Sequence, residues 1–286
     1  MNKEVTVIIL CHKSKDLVIN YIKNIYTKFE IIIIDNSNDY ELTKNINQDY
    51  PGVLIKNIDN NGYGVQINYG SKFVKTKYFL ISNPDLSGID ENSLDKFVNT
   101  AKFLKDEFSV LGPRYLNADP KSLVQSDEAK KIDEINVLSG ACMFFKKKVF
   151  DLVGGFDESF FLYFEENDFC LKAIKFNKIY QVNEIKILHN AGNSVLLNNL
   201  EEIKDQRNLR SWHFVWSKFY FYKKNYSFIY AFIIFIPIIL RTRLKIIYYS
   251  IINDEKNLIK YKNRWDGMEA SIIGKKSFKR PNFKHF

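Results

Sequence analysis

Two apolar runs near the N-terminus limit what this chain can fold into. Residues 5–10 are rich in β-branched side chains and carry no charge, and residues 29–34 are nearly as apolar. Such runs are typical of parallel strands that helices cover on both faces. Apolar residues recur at helical spacing over residues 17–25, so the first 34 residues predict a strand–helix–strand unit. We therefore expect an α/β fold with a mostly parallel central sheet.

Polar turns follow the predicted strands. Residues 11–16 come after the first run and residues 35–39 after the second. Further strands are predicted at residues 53–58, 78–82, 110–114, 137–145, 179–182 and 185–189. In open α/β sheets the ligand binds outside the carboxyl ends of the strands. These turns are therefore expected to border one crevice.

The most unusual stretch is the acidic–aromatic segment, residues 154–170. Its acids are Asp157, Glu158, Glu165, Glu166 and Asp168, and its rings are Phe156, Phe160, Phe161, Tyr163 and Phe164. A buried carboxylate without a partner is costly, and acidic surface runs seldom contain so many rings. The segment favours the floor of a functional site. A solvated loop followed by an amphipathic helix is the alternative.

Acids also follow other predicted strands. Asp35 and Asp85 each close one, and His189 closes the last. Carboxylates gathered at one sheet edge repel one another unless they share a cation or a proton. Oxygen ligands with one imidazole suit Mg²⁺ or Mn²⁺ better than zinc, and such a cation neutralises a departing diphosphate. A carboxylate outside the metal site could act as a general base.

Charge is distributed unevenly along the chain. Residues 207–286 contain 17 Lys and Arg against 4 Asp and Glu, whereas residues 1–206 contain 25 against 29. The basic region is also rich in aromatic and aliphatic side chains, which favours an anionic membrane surface over nucleic acid as its partner. We predict a catalytic domain at residues 1–205 and a helical, membrane-associating region at residues 206–286.

Residues 226–240 of this region contain no charged residue. As a helix they reach about 22 Å, less than the roughly 30 Å of a hydrocarbon core. An interfacial or re-entrant anchor is therefore the first choice. A tilted span extended to residue 252 and a buried helix are the alternatives.

Cysteine usage and the N-terminus bear on location. Cys11, Cys142 and Cys170 are far apart and form no CxxC pair, and residues 1–10 lack a secretory cleavage pattern. Both features suit a reducing compartment. We expect a cytoplasmic protein, peripheral or monotopic at the inner face of the cell membrane, and the aromatic tail also allows a homodimer.

In their order, these motifs resemble glycosyltransferase family 2, the inverting nucleotide-sugar transferases with the GT-A fold, and within it rhamnosyltransferase-like bacterial members. The likeness covers roughly residues 4–195. It rests on Val-Ile-Ile-Leu-Cys-His at 7–12, Ile-Ile-Asp-Asn-Ser at 33–37, Asn60-x-Gly62-Tyr63, Asn68-x-Gly70, Asn83-Pro84-Asp85, Gly140-Ala141, the acidic–aromatic segment, and His189 with Gly192 and Ser194.

The resemblance implies a reaction. A sugar, rhamnose or another hexose, would pass from a nucleotide-diphosphate donor to a hydroxyl of a lipid-linked or polysaccharide acceptor. Transfer would invert the anomeric centre and serve bacterial surface glycan synthesis.

The resemblance also implies roles for individual acids. Asp35 would contact the base or ribose of the donor, and Asp85 would bind Mg²⁺ or Mn²⁺. Glu166 would be the base, with Glu165 in support and Asp168 as the alternative base. The family's Asp-x-Asp motif has Asn83 in its first place here, which removes one ligand. His189 would contact the metal or diphosphate, its alternative being a strand-end histidine bonded to backbone.

Further substrate contacts are expected around these acids. Gly62 and Gly64 before a predicted helix would cradle a phosphate, although a plain turn with a helix cap is equally compatible with the sequence. Phe161 and Tyr163 would form an acceptor-side wall, although some of these rings must belong to the core. The remaining expected contacts are Cys11, His12, Asn36, Asn61, Asn68, Asn83 and Gly140.

Two rival classes remain open. A nucleotidyltransferase also places acidic metal ligands on an α/β sheet, but it usually has a glycine-rich loop after the first strand, and residues 11–16 contain no glycine. A non-catalytic membrane-surface scaffold would account for the basic tail but not for the acidic–aromatic segment.

Overall fold

The structure is a computed structural model that describes residues 4–117, 130–190, 195 and 199–281. Two residues of the predicted motifs, Gly192 and Ser194, lie outside the described residues. The strands are β1 (Val5–Cys11), β2 (Glu30–Asp35), β3 (Leu54–Asn57), β4 (Tyr78–Ser82), β5 (Leu86–Ser87), β6 (Val110–Tyr115), β7 (Ile132–Ile135), β8 (Cys142–Lys146) and β9 (Ile179–His189). The helices are α1 (Lys15–Ile22), α2 (Tyr40–Asp49), α3 (Tyr63–Ser71), α4 (Glu91–Phe103), α5 (Lys147–Val153), α6 (Glu165–Ala173), α7 (Leu200–Asn225), α8 (Phe228–Ile251) and α9 (Glu255–Ile272).

These strands form one mixed sheet with the order β3-β2-β1-β4-β8-β6-β9-β5, and β7 pairs with β9. Strands β1 to β4 are parallel to one another. Antiparallel pairs begin where β8 joins β4 and β6. Strand β9 is parallel to β6 and antiparallel to β5 and β7. The predicted α/β class is confirmed, but the sheet, predicted to be mostly parallel, is mixed. Its parallel part, β1 to β4, is followed by the polar turns predicted at residues 11–16 and 35–39.

The parallel half forms because its strands are apolar on both faces. In β1, Val5, Val7, Ile8 and Ile9 are completely buried, and β4 is buried along its whole length. Burial of each large aliphatic side chain contributes about 1.5–3 kcal/mol before entropy is counted. The register pairs Cys11 with Asp35, so the turns after β1 and β2 begin side by side.

Several elements differ from the sequence-based expectation. Strands β5 and β7 match none of the predicted strands, and the strand predicted at residues 137–145 begins only at Cys142. The strands predicted at 179–182 and 185–189 are one strand, β9, because the buried Asn183 is bonded to a neighbouring segment: its N–H donates to Lys131 O and its amide to Lys130 O. Helix α2 has no counterpart in the prediction, since its buried face consists of Leu42 and Ile46 alone.

Within the described residues the chain divides into two compact units. The sheet unit contains all the strands. The C-terminal unit contains Gly62–Gly64, Asp157–Asp168 and helices α7, α8 and α9. The predicted domain boundary at residue 205 does not anticipate that part of the acidic–aromatic segment belongs with the tail, and the two predicted domains stay a prediction.

The C-terminal unit has a small core of its own. Phe219 and Phe235 meet edge to face with centroids 5.0 Å apart, and Met268 is buried with them. A Cβ on Gly267 of α9 would lie 2.3 Å from Trp212 O, so glycine allows α7 and α9 to pack closely. No helix in the described ranges is both long and apolar enough to cross a membrane.

Candidate active site

The turns after β1 and β2 are bonded to each other. Asn36 N donates to Cys11 O at 3.0 Å, and the His12 imidazole hydrogen-bonds the Asn36 side chain through Nδ1. Burial lowers the pKa of His12, which favours its neutral form. Three predicted contacts, Cys11, His12 and Asn36, are therefore neighbours.

The Asp35 carboxylate organises its own turn. Its Oδ1 accepts from Ser37 N at 3.0 Å and from Ser37 Oγ at 2.6 Å, and its Oδ2 accepts from Asp39 N at 2.7 Å. The residue is completely buried. These bonds fix the loop after β2, and the predicted contact with the donor nucleoside stays a prediction.

The acid that follows β4 has the opposite character. The Asp85 side chain is 1% exposed, and within the described residues neither of its carboxylate oxygens has a hydrogen-bond partner. The His189 ring faces it, with Nε2 3.6 Å from Asp85 Oδ1. Strand pairing explains this, since Leu86 and His189 are partners in the β5–β9 ladder. Next to this pair, Asn83 N donates to Ala141 O at 2.9 Å, which brings Asn83 beside the turn at Gly140.

Asp85 and His189 form a donor set that suits a hard divalent cation. A buried carboxylate without a partner is costly, and a bound cation would remove that cost. The described residues contain no group of three or more His, Cys, Asp or Glu that could hold a metal by themselves. Mg²⁺ is commonly bound by one or two protein ligands together with substrate phosphates and water, so two ligands fit this kind of site.

Asn68 holds the beginning of the acidic–aromatic segment. Its side-chain amide accepts from Phe156 N and donates to Phe156 O, both at 2.9 Å. A Cβ on Gly155 would lie 2.5 Å from Asn68 Oδ1, and Gly155 has a φ of +70°. The Asn68 side chain therefore has a structural role, because it holds the backbone of Phe156. Its predicted role in substrate binding stays a prediction.

Gly62 is required by packing within the C-terminal unit. Its φ is +116°, and a Cβ there would lie 2.8 Å from both Phe161 Cα and Phe161 O. The next residue, Tyr63, donates its N–H to Phe161 O at 2.9 Å, while Asn61 is exposed. These contacts anchor the acidic–aromatic segment, whereas the phosphate-cradle alternative stays a prediction.

Two strained residues come directly before helix α6, which contains the predicted base Glu166. Tyr163 and Phe164 have φ values of +70° and +69°, a conformation that costs on the order of 1–3 kcal/mol for each such residue. Helix α7 holds them in place: both rings contact Phe214, with centroids 5.6 and 5.8 Å away, and Ser217 Oγ donates to Leu162 O at 2.8 Å. Consecutive left-handed aromatic residues have no sequence signature, so this feature was not predicted.

Glu165 and Glu166 begin helix α6. Burial, followed by the neighbouring Glu166, raises the pKa of Glu165 well above its usual range, and burial raises the pKa of Glu166 to about 7. Within the described part of the chain, Oε2 of each has no hydrogen-bond partner. Two adjacent buried carboxylates titrate as a pair and resist losing both protons. Glu166 is the more accessible, since Glu165 is 4% exposed and Glu166 is half-buried.

Asp168 is engaged in an ion-pair network. It is completely buried, and it accepts from Lys224 Nζ at 2.8 Å and from Asn225 Nδ2 at 2.9 Å. Lys224 also pairs with Asp157 at 2.5 Å. On α6, Glu165 and Asp168 are buried, whereas Glu166 is half-buried. Lys224 and Asn225 were missed because they lie in a basic stretch whose composition indicated only a membrane contact.

Comparison with known proteins identifies the family. Residues 6–156 match the family model described as glycosyl transferase family 2, which covers more than half of the chain. This chain is a family 2 glycosyltransferase. The resemblance predicted from the sequence is thereby confirmed. Membership of this family excludes the two alternative classes, the non-catalytic membrane-surface scaffold and the nucleotidyltransferase.

Individual relatives extend this result. A protein of Haloferax volcanii, the low-salt glycan biosynthesis hexosyltransferase Agl10, is 27% identical over 220 residues, which are 66% of this chain and 68% of the relative. The S. aureus TarS 1–349 structure has a TM-score of 0.54 at 14% identity and covers 95% of this chain and 92% of its own. GalNAc-T7 with UDP, GalNAc and Mn²⁺ has a TM-score of 0.54 at 15% identity and covers 76% of this chain and 49% of its own. At these identities the two structures establish a shared fold.

Proposed function

We propose that this glycosyltransferase moves a hexose from a nucleotide-diphosphate donor to a hydroxyl of a lipid-linked or polysaccharide acceptor, with inversion. The observation that carries the proposal is the carboxylate pair Glu165–Glu166 at the start of α6, where burial brings the pKa of Glu166 to about 7. Relatives support the substrate class: Agl10 is named a hexosyltransferase of glycan biosynthesis, and TarS has been solved with UDP and with UDP-GlcNAc. Rhamnose stays one candidate sugar among the hexoses.

Glu166 acts as the general base. A base is most effective when its pKa lies near the working pH, because it is then both ionised and able to accept a proton. Glu165, which is more deeply buried, keeps its proton and leaves the single negative charge to Glu166. The Glu166 carboxylate takes the proton of the acceptor hydroxyl while that oxygen attacks the anomeric carbon. The bond from this carbon to the diphosphate oxygen breaks in the same step, which inverts the centre.

Asp168 is the weaker candidate for this role. Its carboxylate is already engaged by Lys224 and Asn225, so it holds α6 against α7. Tyr163, which is half-buried and three residues before the proposed base, is the better candidate for the acceptor wall. The Phe161 ring is 5% exposed and lies between His213 and Arg280.

Asp85 and His189 would hold Mg²⁺ or Mn²⁺. The buried carboxylate oxygens without hydrogen-bond partners support this, and GalNAc-T7 has been solved with Mn²⁺. When bound, a divalent cation supplies positive charge to the departing diphosphate. Asp35 is the proposed contact with the base or ribose of the donor. The other proposed substrate contacts near the strand ends are Cys11, His12, Asn36, Asn61, Gly62, Asn68, Asn83 and Gly140.

The enzyme is proposed to work at the inner, anionic face of the cell membrane, as a step in cell-envelope glycan synthesis. Helix α8 supports this with a stripe of exposed aliphatic side chains that are three or four residues apart. The stripe consists of Ile229, Ile233, Ile236, Leu240, Leu244, Ile247 and Ile251. Arg241 and Arg243 are exposed on the same helix and Lys245 is half-buried, and helices of this kind lie in the plane of a membrane surface.

A donor panel with stereochemical analysis tests the proposal. The full chain is first screened for nucleotide sugars that raise its melting temperature in the presence of Mg²⁺ or Mn²⁺. Transfer from each binding donor to a soluble acceptor glycoside is then followed by NMR of the new anomeric proton. We expect one nucleotide sugar to bind and its product to have the opposite anomeric configuration. A product with retained configuration, or binding by none of the panel, would contradict the proposal.

A further inference from the structure

The C-terminal unit contains a cavity of about 510 Å³ that the proposed reaction does not use. Its lining includes the aromatic residues Phe161, Trp216 and Tyr220. Four cationic residues also line it, Lys223, Lys275, Lys276 and Arg280. We call it the basic cavity.

The positive charge of the basic cavity is not cancelled by its acids. Among the described residues, none of its four cationic side chains forms an ion pair with a carboxylate. Asp157 lines the cavity, but its carboxylate is occupied by Lys224 at 2.5 Å and by Ser159 N at 2.8 Å. Glu158 is the only other acid in the lining, and it is exposed. The cavity therefore presents a surplus of positive charge.

Arg280 is held ready for a ligand. Its guanidinium lies 4.5 Å from the centroid of the Phe161 ring, and Nη1 donates to Ser277 O at 2.8 Å. Burial lowers the pKa of Arg280, the effect expected where a cation loses water and no carboxylate compensates. Because the Arg280 side chain is already held in place, it loses little further conformational entropy when its remaining N–H groups bind a phosphate.

The backbone of the segment that contains Lys275 and Lys276 is also held in place by hydrogen bonds. Trp216 Nε1 donates to Lys275 O at 3.0 Å, and Ser271 Oγ donates to Trp216 O at 3.0 Å. Trp216 stacks on Tyr220 with centroids 5.0 Å apart, and Tyr220 is half-buried. The cavity thus combines a rigid basic wall with an aromatic side chain of the kind that packs against sugar rings.

We propose that the basic cavity binds the phosphate or diphosphate group of the acceptor substrate, with the attached sugar beside Tyr220. The inference rests on the proposed function and specifies its acceptor. The cavity is lined by residues 157–161 of the acidic–aromatic segment, which leads along the chain to the proposed base. Donor phosphates are assigned to the Asp85–His189 site, so the acceptor is the substrate left to supply an anion here. A lipid diphosphate and a phosphorylated glycan both provide this chemistry.

A matched pair of double variants of the full chain tests the basic cavity. Lys275→Gln/Lys276→Gln removes two charges from its wall, whereas Lys260→Gln/Lys262→Gln removes two from α9 outside it. Calorimetry measures binding of geranyl diphosphate, glucose 6-phosphate and UDP. We expect the first pair to weaken binding of at least one of the two acceptor-like probes about tenfold, and the second pair to change it less than about twofold. The probe that responds identifies the source of the phosphate.

The outcomes separate this inference from the proposed function. UDP binding should be equal in wild type and both variants, because the donor does not use the basic cavity. Equal affinities of all three proteins for both acceptor-like probes would overturn the inference, whether or not the enzyme transfers sugar. A loss of UDP binding in the Lys275→Gln/Lys276→Gln variant alone would also overturn it, since the cavity would then be a donor site. Transfer of a sugar with inversion tests the proposed function independently.

Discussion

At the scale of single residues, the proposed general base is Glu166. Glu166→Gln keeps the size of the side chain and removes its ability to accept a proton. We expect kcat to fall by about 10²- to 10⁴-fold while the donor Kd changes little. In the wild type, kcat should rise with pH through about 7 as Glu166 ionises. Glu269→Gln, an exposed acid on α9, is the control, and full activity of Glu166→Gln would contradict the assignment of the base.

The same side chain predicts how stability depends on pH. Burial raises the pKa of Glu166 from 4.5 to about 7, so the folded protein retains a proton that the unfolded chain releases. The free energy of unfolding should therefore fall as the pH rises from about 4.5 to 7, and Glu166→Gln should lack this part of the fall. After allowance for partial exposure we expect the variant to gain about 2 kcal/mol between pH 5 and pH 8 relative to wild type. Urea denaturation at both pH values measures it, and parallel profiles would contradict the pKa shift.

At the scale of elements, Gly62 is the anchor of the acidic–aromatic segment. Gly52 is a matched control, because its φ is +97° and a Cβ would meet nothing within 4 Å, whereas a Cβ on Gly62 would meet Phe161 backbone at 2.8 Å. We expect Gly52→Ala to cost about 1 kcal/mol from backbone strain alone, and Gly62→Ala to cost about 2–4 kcal/mol. Chemical denaturation compares the two. Equal costs would show that the contact with Phe161 is unimportant.

Helix α7 stabilises helix α6 through the Lys224–Asp168 pair. Lys224→Met would leave a completely buried carboxylate without its cation, which typically costs about 3–5 kcal/mol. Adding Asp168→Asn should restore much of the loss, because the buried group is then neutral. Lys204→Met, also on α7 and exposed, serves as the control in thermal denaturation. Failure of the second substitution to restore stability would argue against a buried charge as the cause.

At the scale of the whole molecule, the sequence specifies the α/β layout better than the site. Strands β1 and β2 can be predicted from the sequence, because a strand that is buried on both faces contains few polar residues. Helix α2 was not predicted, because its two buried apolar residues are too few to show a helical periodicity in the sequence. The pairing of Lys224 with Asp168, 56 residues apart, and the left-handed Tyr163 depend on tertiary packing that no local pattern encodes.

Charge asymmetry and the apolar stripe of α8 together predict membrane binding by the whole chain. Residues 207–286 contain 17 Lys and Arg against 4 Asp and Glu, and the stripe extends over a helix of 24 residues, about 36 Å. We expect the protein to sediment with vesicles that contain 30% anionic lipid, and less so in high salt. Ile236→Glu/Leu240→Glu, on the exposed stripe, should abolish sedimentation, because it places two charges where side chains would enter the lipid. Asn20→Glu/Asn24→Glu adds the same charge to an exposed part of the sheet unit and should leave most of the binding intact. Equal loss in both variants would mean that net charge alone controls binding, and the α8 stripe would then have no part in it.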